Sequence, residues 1–377
     1  MVNKKYCFFS AQYLPHMGGV ENYTYHLAKQ LVEKGNEVTI VTCNVERVGT
    51  YEKQEGIKIY RLPCLNLING RFPILKFNKV FWKIHRKISK QSYDMIIINT
   101  RFYIHSLYGA VFGKKKHCRT IFIEHGTGHL TLHNPILDWV ENIVEHTMTF
   151  FEKQLCSEFY GVSEACLVWL RHFHIKGKGV LYNAIDLGDI GKKLESPICS
   201  FKEKYNISNQ AQIITFTGRL LKEKGVLTLV KAFDELKRED VYLFIAGDGE
   251  EHDSIKSMSS KHVILLGRIT SDEIVALLKE TDIFCLPSDS EGMPTSVLEA
   301  AACKCYIVTT KQGGAKELVL DEKHGIIMED NNLPTVIKAL QKSLQDRKNR
   351  EQGIELTYQR LQKYFTWDKV AEKVMKL

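Results

Sequence analysis

Short apolar runs rich in β-branched and aromatic residues alternate along the chain with segments whose apolar residues recur at helical intervals. In the first half, Lys5–Ser10, Glu37–Thr42, Lys58–Leu62, Asp94–Asn99, Thr120–Glu124, Phe159–Val162 and Val180–Tyr182 read as strands, and Glu21–Glu33, Asn78–Lys90 and Trp139–Gln154 as helices. After a polar, weakly periodic stretch from Leu187 to Ser200, strands are expected at Ile213–Thr217, Tyr242–Ala246, Val263–Leu266, Ile283–Leu286, Tyr306–Thr309 and Gly325–Met328. Helical spacing closes the chain over Val336–Leu344, Arg350–Tyr364 and Trp367–Met375. Strand and helix in alternation imply an α/β protein with parallel sheets and right-handed crossovers. The expected division is residues 1–186 and 187–364, with the linker at Leu187–Ser200 and a last helix, 365–377, crossing back to the first domain.

The length of 377 residues suits two domains, and 44% hydrophobic with 25% charged residues excludes a disordered or fibrous chain. No run nears the ~18 apolar residues of a spanning helix, and the N-terminus lacks a signal peptide's layout, so a cytoplasmic protein is expected. The ten cysteines show no CxxC pair and read as reduced structural thiols, which argues against a zinc site.

Charge separates the halves. Residues 1–186 carry 24 Lys/Arg against 15 Asp/Glu, whereas the rest carry 28 against 29. Within the basic half, Arg71–Lys90 holds seven cations and no acid, with Phe77, Val80, Phe81, Ile84 and Ile88 at helical spacing. Its basic residues Lys76, Lys79, Lys83, Arg86 and Lys87 fit either a surface helix packed on its own domain or one docked on an anionic bilayer. Nucleic acid is disfavoured as a partner, because no nucleic-acid motif accompanies the run.

Parallel sheets bind ligands beyond the carboxyl ends of their strands, where loops and helix N-termini present backbone N–H groups. Gly18 and Gly19 stand there after the first strand, where a tight turn or a close approach to a ligand each accounts for them. After Ile213–Thr217 come Gly218, Arg219, Lys224 and Gly225, two cations able to clamp a diphosphate from two sides or to form a solvated basic loop. Arg268 follows the strand Val263–Leu266 as a further cation on the same side. After Ile283–Leu286 comes the run Pro287–Glu299, with Glu291 in a loop and Glu299 in the next helix. Carboxylates so placed suit vicinal hydroxyls, although Ser296 and Glu299 also have capping-box spacing. His125 and His129 flank a glycine-bearing loop after Thr120–Glu124, and those glycines argue against metal ligation by the pair.

Glu291 and Glu299 resemble the E-x7-E motif of retaining GT-B glycosyltransferases of family 4. Gly218-Arg219 with Lys224-Gly225, the Gly18-Gly19 loop and Leu181–Asp186 follow that family's layout in order, with Ala184 where glycine is usual. The resemblance implies two Rossmann-like domains facing across a cleft, the first on the acceptor side and the second holding a nucleotide diphosphate sugar. Under it, Arg219 and Lys224 hold the diphosphate and Glu299 the ribose. Glu291 holds the transferred sugar, helped by Gly292, Met293, Pro294 and Thr295; Gly18 and Gly19 close over the phosphates, and His125 contacts sugar or acceptor. It further implies retention of configuration, and with no D-x-D motif in the chain, neither a metal nor another cofactor is expected. The basic segment adds the expectation of peripheral contact with an anionic membrane at the inner face of the cell membrane. The function expected is hexose transfer, from a UDP-sugar rather than GDP-mannose, to a lipid-linked oligosaccharide in bacterial surface polysaccharide or lipopolysaccharide synthesis. A GT-B epimerase of sugar nucleotides and a non-catalytic sugar-nucleotide sensor or membrane adaptor are the alternatives.

Overall fold

A computed structural model describes residues 3–16, 18–67, 72–129, 134–197 and 200–377; Arg71, Ile198 and Cys199 of the segments above lie outside the described residues. The chain forms two compact units, Met1–Asn183 with Trp367–Leu377, and Ala184–Thr366. The division therefore falls between Asn183 and Ala184 rather than after Asp186.

Unit 1 runs β1 (Lys5–Ser10), α1 (Gly19–Glu33), β2 (Glu37–Cys43), β3 (Tyr51–Gln54), β4 (Ile57–Leu62), β5 (Cys64–Leu67), β6 (Phe72–Leu75), α2 (Lys79–Ser89), β7 (Met95–Asn99), α3 (Ile104–Lys115), β8 (Arg119–Glu124), α4 (Pro135–Leu155), β9 (Phe159–Gly161), α5 (Glu164–Leu170) and β10 (Gly179–Val180). Its main sheet has the order β10-β9-β8-β7-β1-β2-β4-β3 and is parallel except for β3. Tyr6, Cys7, Phe8 and Phe9 of β1 are all fully buried, as a central strand covered on both faces requires. The sheet order reverses between β1 and β7, so the loops after these strands flank a natural ligand crevice.

Unit 2 follows as α6 (Leu187–Leu194), α7 (Phe201–Lys204), β11 (Gln212–Thr217), α8 (Val226–Glu235), β12 (Val241–Ala246), α9 (His252–Met258), β13 (Val263–Gly267), α10 (Ser271–Lys279), β14 (Ile283–Leu286), α11 (Thr295–Ala302), β15 (Tyr306–Thr310), α12 (Ala315–Leu318), β16 (Ile326–Met328), α13 (Leu333–Gln345) and α14 (Arg347–Tyr364). Its parallel sheet, ordered β13-β12-β11-β14-β15-β16, reverses between β11 and β14. The expected linker at Leu187–Ser200 is largely a helix instead. Asp186 caps α6 by accepting from the Asp189 N–H at 2.9 Å, and Ile190 anchors it in unit 2.

The last helix, α15 (Trp367–Lys376), belongs to unit 1 and packs on α1. Trp367 stacks on His26 at 5.4 Å and meets Tyr23 edge-on at 5.2 Å. The cysteines of the described residues are free thiols, most of them buried. No helix among the described residues is long and apolar enough to cross a membrane.

Candidate functional site

Unit 2 gathers its predicted residues where its sheet order reverses. Beyond β11 the chain turns through Gly218 and Arg219 into the 3-10 turn Lys222–Lys224, and Gly225, at φ +68°, starts α8. A Cβ on Gly225 would stand 2.1 Å from the Pro287 carbonyl oxygen, so this glycine lets the loop after β11 press against the loop after β14. Backbone bonds tie the two together: the Asp289 N–H donates to Glu223 O at 2.8 Å, and the Ser288 hydroxyl to the same oxygen at 3.1 Å. The Lys224 ammonium meets Glu291 Oε1 at 2.6 Å, with both side chains largely buried. Arg219, just before, is exposed and makes no ion pair among the described residues.

Glu291 is held from its other side as well. Gly313, at φ +69°, would place a Cβ 2.0 Å from the Glu291 carbonyl oxygen, and the Gly314 N–H donates to Gly292 O at 2.8 Å. Met293 and Pro294 are buried, and Pro294 is the N-cap of α11 without any side-chain cap. The capping-box alternative for Ser296 and Glu299 therefore fails: the helix begins at Thr295, which puts Glu299 beyond the capping position. Half-buried Glu299 is pushed up to about 7 by desolvation, against the opposing charge of Lys193 on α6. A site with one guanidinium in solvent, one ammonium–carboxylate pair and one poorly solvated acid has the donors and acceptors that a nucleoside diphosphate requires. Arg268 stands apart, exposed after the edge strand β13.

In unit 1, Gly18 is the extended N-cap of α1, and a Cβ there would lie 2.4 Å from the Glu21 carboxylate. Gly19 has open space around it, as a close backbone approach needs. Buried Glu21 pairs with His16 Nδ1 at 3.1 Å. His125, beyond β8, packs edge-on against Tyr23 at 4.8 Å, and burial pushes its pKa down to about 3, so its imidazole is neutral.

The tautomer follows from its neighbours. The Asn99 amide donates to the Thr24 hydroxyl at 2.7 Å, leaving Asn99 Oδ1 to accept from His125 Nε2 at 3.2 Å. Nδ1 of His125 thus carries the free lone pair, an acceptor for a hydroxyl. Asn99 escaped the sequence reading; its signal was a polar residue ending an otherwise apolar strand.

Beside His125 lies a buried ionic group that the sequence reading also missed. Arg101 is 1% exposed and meets Glu124 Oε2 at 2.6 Å, Glu145 Oε1 at 2.6 Å and the Thr149 hydroxyl at 3.1 Å. Glu124 Oε1 in turn accepts the His125 and Gly126 N–H groups, each at 3.0 Å, and so shapes the histidine loop. Desolvation pushes Glu152 up to about 8 and Glu141 up to about 7. His129, at the other end of the histidine loop, pairs with Glu145 Oε2 at 2.6 Å, in keeping with the expectation that His125 and His129 do not ligate together.

α4 is inverted relative to an ordinary surface helix. Its buried side is Glu141, Glu145, Thr149 and Glu152, while Ile136, Leu137, Trp139, Val140, Ile143, Phe150 and Phe151 face solvent. Acids recurring every three or four residues were the legible signal. α2 packs only part of its apolar side. Phe81, Ile84 and Ile88 pack into unit 1, but Phe77, Val80 and Trp82 remain exposed alongside Lys76, Lys79, Lys83, Arg86 and Lys87. Lys79, Trp82, Lys83 and Arg86 line a recess of about 500 Å³.

Residues 17–189 match the family model described as Glycosyltransferase Family 4, and residues 199–360 the one described as Glycosyl transferases group 1. An uncharacterized glycosyltransferase of Methanocaldococcus jannaschii is 25% identical, spanning 99% of this chain and 97% of its own. The GPI3 subunit of phosphatidylinositol N-acetylglucosaminyltransferase from Saccharomyces cerevisiae is 26% identical, over 97% of this chain and 80% of its own. The crystal structure of Anabaena HepE in complex with UDP superposes with a TM-score of 0.75 at 16% identity, covering 100% of this chain and 99% of that one.

Proposed function

Since the chain belongs to the glycosyltransferases of family 4 and has their GT-B fold of two Rossmann-like domains, we propose that it transfers a hexose from a UDP-sugar, in preference to GDP-mannose, to a lipid-linked oligosaccharide, with retention of configuration. The observation carrying the donor reading is the set Arg219, Lys224–Glu291 and Glu299, brought to two adjoining loops and the helix α11 that follows the second, where the sheet of unit 2 reverses. Arg219 and Lys224 neutralise the diphosphate as the bond from the sugar's anomeric carbon to the phosphate oxygen breaks, Glu291 accepts from sugar hydroxyls, and Glu299 from the ribose. The acceptor hydroxyl forms the new bond on the same face, and its proton passes to the departing phosphate oxygen. With two cations on the phosphates no metal takes part in the transfer, and UDP affinity is the same with and without Mg²⁺. Solved HepE holding UDP supports the choice of nucleotide.

For the acceptor, the carrying observation is the exposed apolar side of α4 together with the basic, Trp82-bearing side of α2. Contiguous exposed apolar surface marks an interaction site, and cations beside it favour anionic lipid. The yeast relative is named for a phosphatidylinositol acceptor, which supports a lipid. We place the enzyme at the inner face of the cell membrane, in assembly of a bacterial surface polysaccharide or lipopolysaccharide.

Thermal unfolding with UDP, GDP, CMP, ADP and their common sugars tests the donor. UDP at 100 times its dissociation constant adds about 2.7 kcal/mol of stability, a gain missing in Arg219→Ala and Glu299→Ala. A panel without any shift overturns the donor site. Arg219→Ala or Lys224→Ala lowers turnover by roughly 10²–10³, the usual loss of one donor that stabilises developing charge. UDP released only when a lipid acceptor is supplied establishes transfer; release without one points to epimerisation or hydrolysis.

A further inference from the structure

We infer that unit 1 holds a divalent transition-metal ion of the zinc class on His129, His146 and His172, and that the ion fastens the loop bearing His125 to α4. One ring nitrogen from each of the three histidines lies within 4.8 Å of the others. They come from three separate places: the loop after β8, the middle of α4, and the 3-10 turn Arg171–Phe173 after α5. His146 Nε2 and His172 Nε2 stand 3.2 Å apart. Without an ion, one must donate to the other; two imidazole ligands at about 2.0–2.1 Å from a tetrahedral zinc bring their nitrogens to nearly the same spacing.

The surroundings of His129 are those of a metal ligand rather than a stray surface histidine. Its Nδ1 meets Glu145 Oε2 at 2.6 Å, and a carboxylate at one ring nitrogen fixes the tautomer that leaves the Nε2 lone pair free. Glu145 is itself 1% exposed and locked by Arg101, so the orienting group cannot wander. Glu141 is 8% exposed, neither of its oxygens has a hydrogen-bond partner among the described residues, and one oxygen lies within 4.8 Å of the ligand atoms of His129 and Glu145. A buried carboxylate without a partner is costly, and a cation held by His129 relieves that cost.

The rings are held in place by aromatic packing. Trp169 stacks on His172 at 4.9 Å and meets His129 edge-on at 4.8 Å, and Phe173 covers His146 at 4.7 Å. Such packing limits the rotamer entropy that binding would otherwise cost. Imidazole-rich sites take zinc, copper, nickel or iron rather than Mg²⁺ or Ca²⁺. The three histidines all belong to unit 1, and the role the inference gives the ion is that of a fastener for the histidine loop. The inference stands whichever sugar or acceptor the enzyme uses.

The test uses the full chain without a histidine tag, stripped of metal. Zn²⁺ is titrated against a chromogenic chelator, and Co²⁺ is added separately to read its visible absorption bands. The expected result is one Zn²⁺ per chain, Co²⁺ bands typical of a low-symmetry imidazole site, and a higher unfolding temperature with Zn²⁺. His146→Ala and His172→Ala, both at exposed positions, each weaken Zn²⁺ at least about 10-fold and abolish the stabilisation, while His117→Asn, elsewhere on the surface, changes neither. Absence of stoichiometric binding in the wild type, or binding left intact by both alanine variants, overturns the inference.

Discussion

Glu299, of the proposed donor site, is the residue whose protonation burial controls. Its pKa in the free chain, about 7 against an ordinary 4.5, means that the folded protein holds a proton the unfolded chain gives up. The carboxylate's contribution to stability is therefore best at low pH and is lost as pH rises through that window. Ribose hydroxyls donating to Glu299 favour its ionised form, so UDP binding releases the proton and strengthens with pH. The expected gain is roughly 10-fold in affinity between pH 6 and 8, over and above the titration of UDP itself. In Glu299→Gln that increment disappears while affinity falls at every pH; calorimetry of the two proteins across this range checks it, and equal pH slopes would refute the role. At this scale the sequence exposed the acids and cations of unit 2, because each follows a strand that its apolar run makes obvious. It concealed Asn99, Arg101 and Glu145, whose partners lie far off in sequence and meet only in the folded sheet.

Elements carry the geometry that these residues rely on. Gly225 and Gly313 each leave room for a carbonyl oxygen where a Cβ would stand near 2 Å, at Pro287 and Glu291 respectively, and both have a left-handed backbone. Alanine at either position costs about 1–2 kcal/mol for the backbone and about 1–3 kcal/mol for the displaced loop. Chemical denaturation measures that loss, and UDP affinity falls with it because the Glu291 loop moves. α4 behaves in the opposite sense. Trp139→Ser with Ile143→Ser leaves stability within about 0.5 kcal/mol per site, since both side chains face solvent, yet removes binding to anionic vesicles in a flotation assay. Neutralising Lys76, Lys79, Lys83 and Lys87 also removes it, at about 1 kcal/mol per charge, and vesicle binding unchanged in both variants refutes a membrane role.

Helices and strands with one apolar stripe or a continuous apolar run were legible from periodicity. The misses each have a cause. β3 is polar and exposed at each position, and α3 carries Gly109 and Gly113, which read as breakers but let the helix approach Phe9 and Thr120 closely. α6 is short enough to pass for a linker.

At the scale of the whole molecule, the division into two α/β units was readable from the restart of the strand–helix pattern, whereas its position was not: Asp186 belongs to a helix cap, and the contacts divide before it. Unit 2 enters and leaves side by side, with the Ile185 N–H donating to Phe365 O at 2.9 Å and Ile185 bridging Thr366. Unit 1 is completed by α15, where the Lys4 ammonium donates to Met375 O at 2.7 Å and Trp367 covers Tyr23 and His26. Deleting Trp367–Leu377 therefore unfolds unit 1 at lower temperature while residues 184–366 keep their UDP response; calorimetric scans with and without UDP separate the two, and a single unchanged transition would count against it. This closure also sets an order of events at the ribosome. Although its main sheet is synthesised first, unit 1 waits for its last helix until the rest of the chain has been translated, roughly tens of seconds at 5–20 residues per second. During that interval the seat of Trp367 on α1, formed by Tyr23 and His26, stands bare, so a chain that stalls before residue 367 carries an uncovered apolar surface on unit 1 whatever part of unit 2 it has completed.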